Sequence, residues 1–228
     1  MKHIFLLFLP FTLFSQTYTF SGARDNVVQI IASKILQKAY SRVDIPIKVI
    51  YLSPETSLQA SNSGKVDGEL ARIEKISKLY PNLVQIPVPL VSVEAVAFST
   101  NTKIKITKWD DLKNYNFTII RGTKFIENST KDYDKTYVKT FIEAFDTLIS
   151  NKTDIIVLPR KAAIRLSLRA EYCEVKAISP ILKKLKLYHF VHKKKSHLIP
   201  IIQPILKQMQ DSGEIEYLYK SYLRSLTP

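Results

Sequence analysis

Short apolar runs rich in β-branched residues alternate with stretches of helical periodicity along almost the whole chain, and this alternation restricts the fold more than any single motif does. Residues 17–20 read as a strand. A helix is expected over about 25–41, where Val27, Ile31, Ile35 and Ala39 recur every fourth residue and form one face that must pack on a sheet. Residues 46–52 are β-branched, after which Ser53 as N-cap and Pro54 at the first helical position open a second helix that stops around 62–64. Further strand patterns follow within 64–73 and at 83–88, 93–99, 117–121, 154–158 and 186–192. Helical signals lie between most of them: capping boxes near Thr107 and at Thr140, Pro159 as a start, and two amphipathic runs near the end. Strands separated by helices imply βαβ units and mostly parallel sheets, with ligand sites at the carboxyl ends of the strands. No internal repeat, Gly/Ser linker or low-complexity tract interrupts the pattern.

Residues 1–15 read as an export signal: Lys2 gives a positive start, residues 4–14 an apolar core too short to span a bilayer, and Ser15 a small residue before a cut at Gln16. No later stretch has the length and apolarity of a membrane span, so an exported, periplasmic protein is expected. The one cysteine, Cys173, cannot form an internal disulfide, so the fold must rest on a true core. The chain carries 34 Lys and Arg against 20 Asp and Glu, a net charge of +14. Such a surplus attracts nucleic acid, anionic lipid or a small acid, and export makes nucleic acid an unexpected partner.

The stretch from Gly64 to Ile73 carries the chemistry. Two glycines bracket Val66-Asp67 and lead into an apolar strand bearing Glu69 and Arg72. Arg72 falls just past the strand, where open α/β sheets bind ligands, and a guanidinium suits a carboxylate through two parallel hydrogen bonds. Glu69 either orients Arg72 or faces the ligand. The plain alternative is an exposed ion pair of about 0 to 1 kcal/mol. Arg121-Gly122-Thr123 ends a strand and starts a helix, offering backbone N–H groups to an anion, with Thr123 alternatively a simple N-cap. Arg160, in the first turn after Pro159, is unfavourable beside a helix dipole unless an anion compensates it. Arg24 and Asp25 follow the first strand as further candidates, although Asp25 can also cap the long helix. His189, His192 and His197 do not suggest a metal, because residues three apart on a strand face opposite sides. Cys173 lies between Glu171 and Glu174, a poor setting for a nucleophile, and no motif of a hydrolase, zinc protease or phosphate-cradling loop occurs. No cofactor is expected.

The order of segments resembles the extracellular solute-binding proteins of family 3, receptors of polar amino acid transporters. The resemblance rests on Gly64-Lys65-Val66-Asp67-Gly68, Trp109-Asp110-Asp111-Leu112, Arg121-Gly122-Thr123, Lys152-Thr153-Asp154-Ile155-Ile156 and Asp211-Ser212-Gly213-Glu214-Ile215. It implies an α/β, two-lobed type II periplasmic binding protein fold, each lobe a mostly parallel sheet flanked by helices, joined by two hinge crossings. One lobe would comprise residues 16–96 plus 189–228 and the other 97–188. The resemblance gives Gly122, Thr123 and Arg72 the grip on a ligand carboxylate. It also implies a monomer without enzymatic activity that captures a small anionic or zwitterionic solute for a membrane transporter or sensor kinase. Two features depart from the family pattern: Ser21-Gly22-Ala23-Arg24-Asp25-Asn26 replaces an aromatic-rich loop, and Pro159-Arg160 stands where an acid usually meets the ligand amine. Two other readings fit the same residues. One is an exported enzyme similar to cyclohexadienyl dehydratases with Glu69 as general acid, and the other a basic surface protein binding a polyanion.

Overall fold

The computed structural model describes residues 16–226, so the expected export signal lies outside the described residues. One sheet runs through the molecule. Strands β1 (Tyr18–Ala23), β2 (Ile47–Leu52) and β3 (Gly68–Ile73) are parallel, with β1 central. At the other end β5 (Phe117–Ile120) lies parallel to both β6 (Thr136–Val138) and β7 (Ile155–Pro159). Two long strands connect these parallel groups: β4 (Leu83–Ser99) and β9 (Lys183–His192), antiparallel to each other. Strand β9 pairs with β3, β4 pairs with β7, and the short β8 (Lys176–Ala177) adds to β4. Each half is therefore a parallel α/β unit, and the crossings are themselves sheet strands.

The two strand patterns expected at 83–88 and 93–99 are a single strand of 17 residues. Pro87 and Pro89 separate them in sequence, but register shifts between Gln85 and Pro89 and between Pro89 and Val91 absorb the missing donors without ending the pairing. Helix α1 (Val27–Ser41) begins two residues later than expected, because Asn26 caps it by accepting from the Val28 N–H. Asp25 instead takes a left-handed conformation, φ 56°. Helix α2 (Pro54–Ser63) has the Ser53 cap and Pro54 start that the sequence indicates, and Gly64 ends it at φ 77°.

Around the sheet stand α3 (Lys124–Ser129), α4 (Phe141–Ile149), α5 (Arg160–Ser167), α6 (Ile199–Asp211) and α7 (Glu214–Leu226). The apolar face of α1 packs with Phe20, Leu70, Ile202 and Leu206 in the main core, while Phe98, Phe141, Phe145 and Leu158 form a second cluster at the far end. Among the described residues no helix is long and apolar enough to cross a membrane.

His189, on β9 beneath α1, is fully buried. Its Nδ1 lies 2.7 Å from the Glu69 carbonyl oxygen and its Nε2 2.9 Å from the Tyr40 hydroxyl, with the Phe20 ring edge-on at 4.7 Å. A neutral imidazole that donates from Nδ1 and accepts at Nε2 satisfies both contacts. Burial pushes its pKa down to about 4, against the opposing pull of the Glu69 carbonyl. The folded protein then binds fewer protons than the unfolded chain between about pH 4 and the ordinary value of 6.5. Stability is fully present above that window and falls as pH is lowered through it, by up to about 3 kcal/mol. Urea unfolding at neutral pH and near pH 4.5 is expected to show this loss in the native chain and a shallower one in His189→Gln. Equal losses in the two proteins would contradict the assignment.

Candidate functional site

Glu69 and Arg72 lie three positions apart on β3, a spacing that in a regular strand sends side chains to opposite faces. The pairing of β3 with β9 shifts register between these two residues, and the irregularity brings both to one side. Arg72 Nε then donates to Glu69 Oε2 at 2.8 Å. Glu69 is fully buried. Its other oxygen sits among three hydroxyls, Ser57 Oγ at 2.6 Å, Ser61 Oγ at 3.1 Å and Ser21 Oγ at 3.3 Å. Ser57 and Ser61 are one turn apart on α2, so a single helix face presents both. Arg72 also donates through Nη2 to the Pro54 carbonyl at 3.0 Å, which fixes the plane of its guanidinium. A carboxylate saturated in this way anchors the arginine and leaves the remaining guanidinium N–H groups free to meet a ligand.

The opposite wall comes from the second half of the sheet. Gly122, at φ 86°, turns the chain from β5 into α3 so tightly against α2 that a Cβ there would stand 2.3 Å from the Glu55 nitrogen. Only glycine allows that approach. Next to it Lys124 Nζ lies 2.8 Å from Glu55 Oε2 across the gap and 2.9 Å from Glu127 Oε2 on its own helix. Tyr80 donates its hydroxyl to Glu55 at 2.9 Å. Burial alone would raise the Glu55 carboxyl, but the hydrogen bonds from Lys124 and Tyr80 outweigh it and hold its pKa below the ordinary value. Burial likewise opposes the charge of Lys124, and its two carboxylate partners raise its pKa despite that. The halves are thus clasped by an ion pair that bridges them.

Between the walls lies a cavity of about 50 Å3, lined by Arg72, Gln29 and Asn26 on one side and Gly122, Thr123 and Lys124 on the other. Apolar side chains such as Ile73, Phe125 and Leu187 close the rest of it. Arg72, Gly122 and Thr123 therefore meet around this one cavity. The other candidates do not. Glu69 backs Arg72 without lining the cavity, so it does not present the acid that the enzymatic alternative requires. Arg121 points outward and stacks its guanidinium 4.3 Å over the Tyr137 ring. Arg160 is half exposed and faces Glu94 at 3.4 Å, which supplies the compensating charge that its place in the first turn of α5 requires. Arg24 and Asp25 border a separate, wider hollow of about 550 Å3 against α5.

Two expected features of the Gly122-Thr123 turn also differ. The Gly122 N–H donates to Glu127 at 2.6 Å and so is not free for an anion, and Thr123 makes no side-chain cap. Among the histidines, His192 caps the turn after β9 and His197 meets the Tyr18 hydroxyl at 3.0 Å. The three serines, Gln29, Glu55 and Lys124 escaped the sequence reading. Only Ser57 and Ser61 carried a signal, as two hydroxyls one turn apart flanking the buried Leu58.

No family model matches the chain. An uncharacterised protein of Shewanella oneidensis is 28% identical over 162 residues, covering 68% of this chain and 61% of that protein, so the chain spans under two thirds of its relative's length. Among solved structures, a mutant ArgBP from T. maritima superposes with a TM-score of 0.76 at 15% identity, over 91% of this chain and 95% of that one. A histidine kinase sensor domain with similarity to periplasmic binding proteins gives 0.78 at 13% identity, covering 91% and 96%. An amino acid ABC transporter substrate-binding protein, AbpA from Streptococcus pneumoniae bound to L-arginine, gives 0.74 at 11% identity, covering 93% and 96%. The chain has the two-lobed fold of periplasmic binding proteins that the motifs imply.

Removing one member of a buried ion pair leaves the other charge uncompensated, at a cost of about 3 to 5 kcal/mol, while replacing both is far milder. Arg72→Met alone is therefore expected to lose about that much stability in urea titrations. The double variant Glu69→Gln with Arg72→Met should recover most of it. A double variant no more stable than the single one would contradict the arrangement.

Proposed function

We propose that this protein is an exported solute-binding protein whose two lobes, residues 16–96 plus 189–228 and residues 97–188, close on a small carboxylate. The observation that carries this reading is Arg72: a buried guanidinium, held from behind by Glu69, that lines a cavity shared by both halves of the sheet. Charge built into an enclosed, mostly apolar space recognises an opposite charge far more strongly than it would in water.

The size of the cavity bears on the ligand. A water takes about 30 Å3 of liquid volume, so the present space of about 50 Å3 holds roughly two water-sized groups. The arginine bound by the structurally similar AbpA is much larger, and the proposed ligand is not arginine but a compact anion or zwitterion. Entry requires the Glu55–Lys124 bridge to open, and the two crossing strands are the natural hinge. A ligand that prefers the closed form shifts this balance by its difference in affinity for the two states, and a transporter or a sensor kinase would read the outcome.

Thermal unfolding and calorimetry against a panel of carboxylic acids and amino acids test the proposal. A binder at a hundred times its Kd should add about 2.7 kcal/mol of stability and raise Tm accordingly. The double variant Glu69→Gln with Arg72→Met should fold and show no response. Stabilisation by no member of the panel, or an undiminished response in the double variant, would overturn the proposal.

A further inference from the structure

The hollow of about 550 Å3 bordered by Arg24 and Asp25 is bounded by both halves of the molecule and shares no lining residue with the Arg72 cavity. The first half supplies Arg24, Asp25 and Tyr51, and the second supplies Arg165, Leu168 and Arg169 from α5 and the turn after it. Its lining thus holds three guanidiniums against one carboxylate, a surplus of positive charge. The arginines are exposed and loosely committed. Arg24 reaches the Tyr51 carbonyl at 3.4 Å, Arg169 stands 3.9 Å from Glu171 with both side chains at least half exposed, and Arg165 has no ion pair among the described residues. The negative end of the α5 dipole favours Arg165 in the last turn, but it gives no reason for Arg24 on the other half. Leu168 is 57% exposed. A lone exposed leucine is ordinary, whereas one that lines a recess among arginines offers apolar area for a partner to bury.

The surplus of guanidiniums selects an acidic occupant. A free small anion gains little here, because each exposed guanidinium contact competes with water and is screened by salt. A flat anionic bilayer cannot enter a recess between two bodies. Several carboxylates carried on one chain, with an apolar side chain between them, collect the weak charge contacts together and cover Leu168 at the same time. We propose that this hollow is a docking site for an acidic segment of a partner protein, its carboxylates on Arg24, Arg165 and Arg169 and an apolar side chain against Leu168. The walls come from different halves, so the segment fits one relative placement of them and docking reports that placement. The proposal stands whether or not the Arg72 cavity binds a solute.

Fluorescence anisotropy with a labelled peptide of glutamates and leucines tests this, beside one analogue with glutamine for glutamate and another with serine for leucine. The native protein is expected to bind the first peptide saturably and both analogues more weakly. Arg165→Ala with Arg169→Ala should weaken that binding roughly tenfold, the product of two exposed charge contacts worth about threefold each, and Arg24→Ala roughly threefold. Because the whole chain is basic, a control must remove the same charge elsewhere: Lys103→Ala with Lys105→Ala, in an exposed stretch after β4, should change the affinity by less than about twofold. Leu168→Ser should abolish the preference for leucine over serine in the peptide. Equal losses in the two double variants would mean attraction by net charge alone and overturn the proposal. So would an Arg24→Ala protein that binds like the native one, or the absence of saturable peptide binding, with or without binding to phosphatidylglycerol vesicles.

Discussion

The buried pair of Glu69 and Arg72 organises the site. A carboxylate with no solvent access has to be satisfied on every side, and here that requirement recruits α2 through Ser57 and Ser61, β1 through Ser21 and β3 through Arg72 itself. The same carboxylate that holds the arginine thus ties together the helix and strands that build one wall of the cleft. The backbone carbonyl of Glu69 extends this network to His189 and from there to Tyr40 on α1. Placement of the guanidinium is therefore a property of the whole first half of the sheet. A single buried pair of this kind contributes little net stability compared with apolar residues of the same volume, and its value lies in positioning.

The seam between the two halves is held by a different set of contacts. Gly122 brings the backbone of the second half against the start of α2, and Glu55, Lys124, Glu127 and Tyr80 form a partly buried bridge over the seam. These groups occupy the Lys124 ammonium and the Gly122 N–H. In the proposed reading, recognition then falls on the first half, on Arg72, and the second half excludes water. The exclusion matters energetically, because a hydrogen bond or ion pair in an enclosed apolar space is worth more than one in contact with solvent.

The fold was largely legible because its signals are local and periodic. The face of α1, the Ser53-Pro54 start of α2 and the apolar run of β7 each appear within a few residues. The continuity of β4 was not, since a proline ordinarily ends a strand and the compensating bulges arise from pairing with a segment about a hundred residues away. In the site, Arg72, Gly122 and Thr123 could be placed because strand ends in parallel sheets converge. Arg160 and Arg121 looked equally eligible. Their partners, Glu94 and Tyr137, come from other strands, and no local pattern reveals them. Gln29 was invisible for a related reason: on an amphipathic helix it counts as one polar residue among apolar neighbours.

Motion of the two halves about this guanidinium is the central claim, and a labelled distance measures it directly. Cys173 is the only cysteine and is exposed in the second half, while Lys34 is exposed on α1 in the first. Fluorescence energy transfer between labels at Cys173 and at Lys34→Cys reports the separation without disturbing the cleft. The expected result is two interconverting distances, with the shorter one enriched by a bound small carboxylate and depleted when Glu55→Gln weakens the bridge. One fixed distance, indifferent to every carboxylate and to Glu55→Gln, would contradict the account.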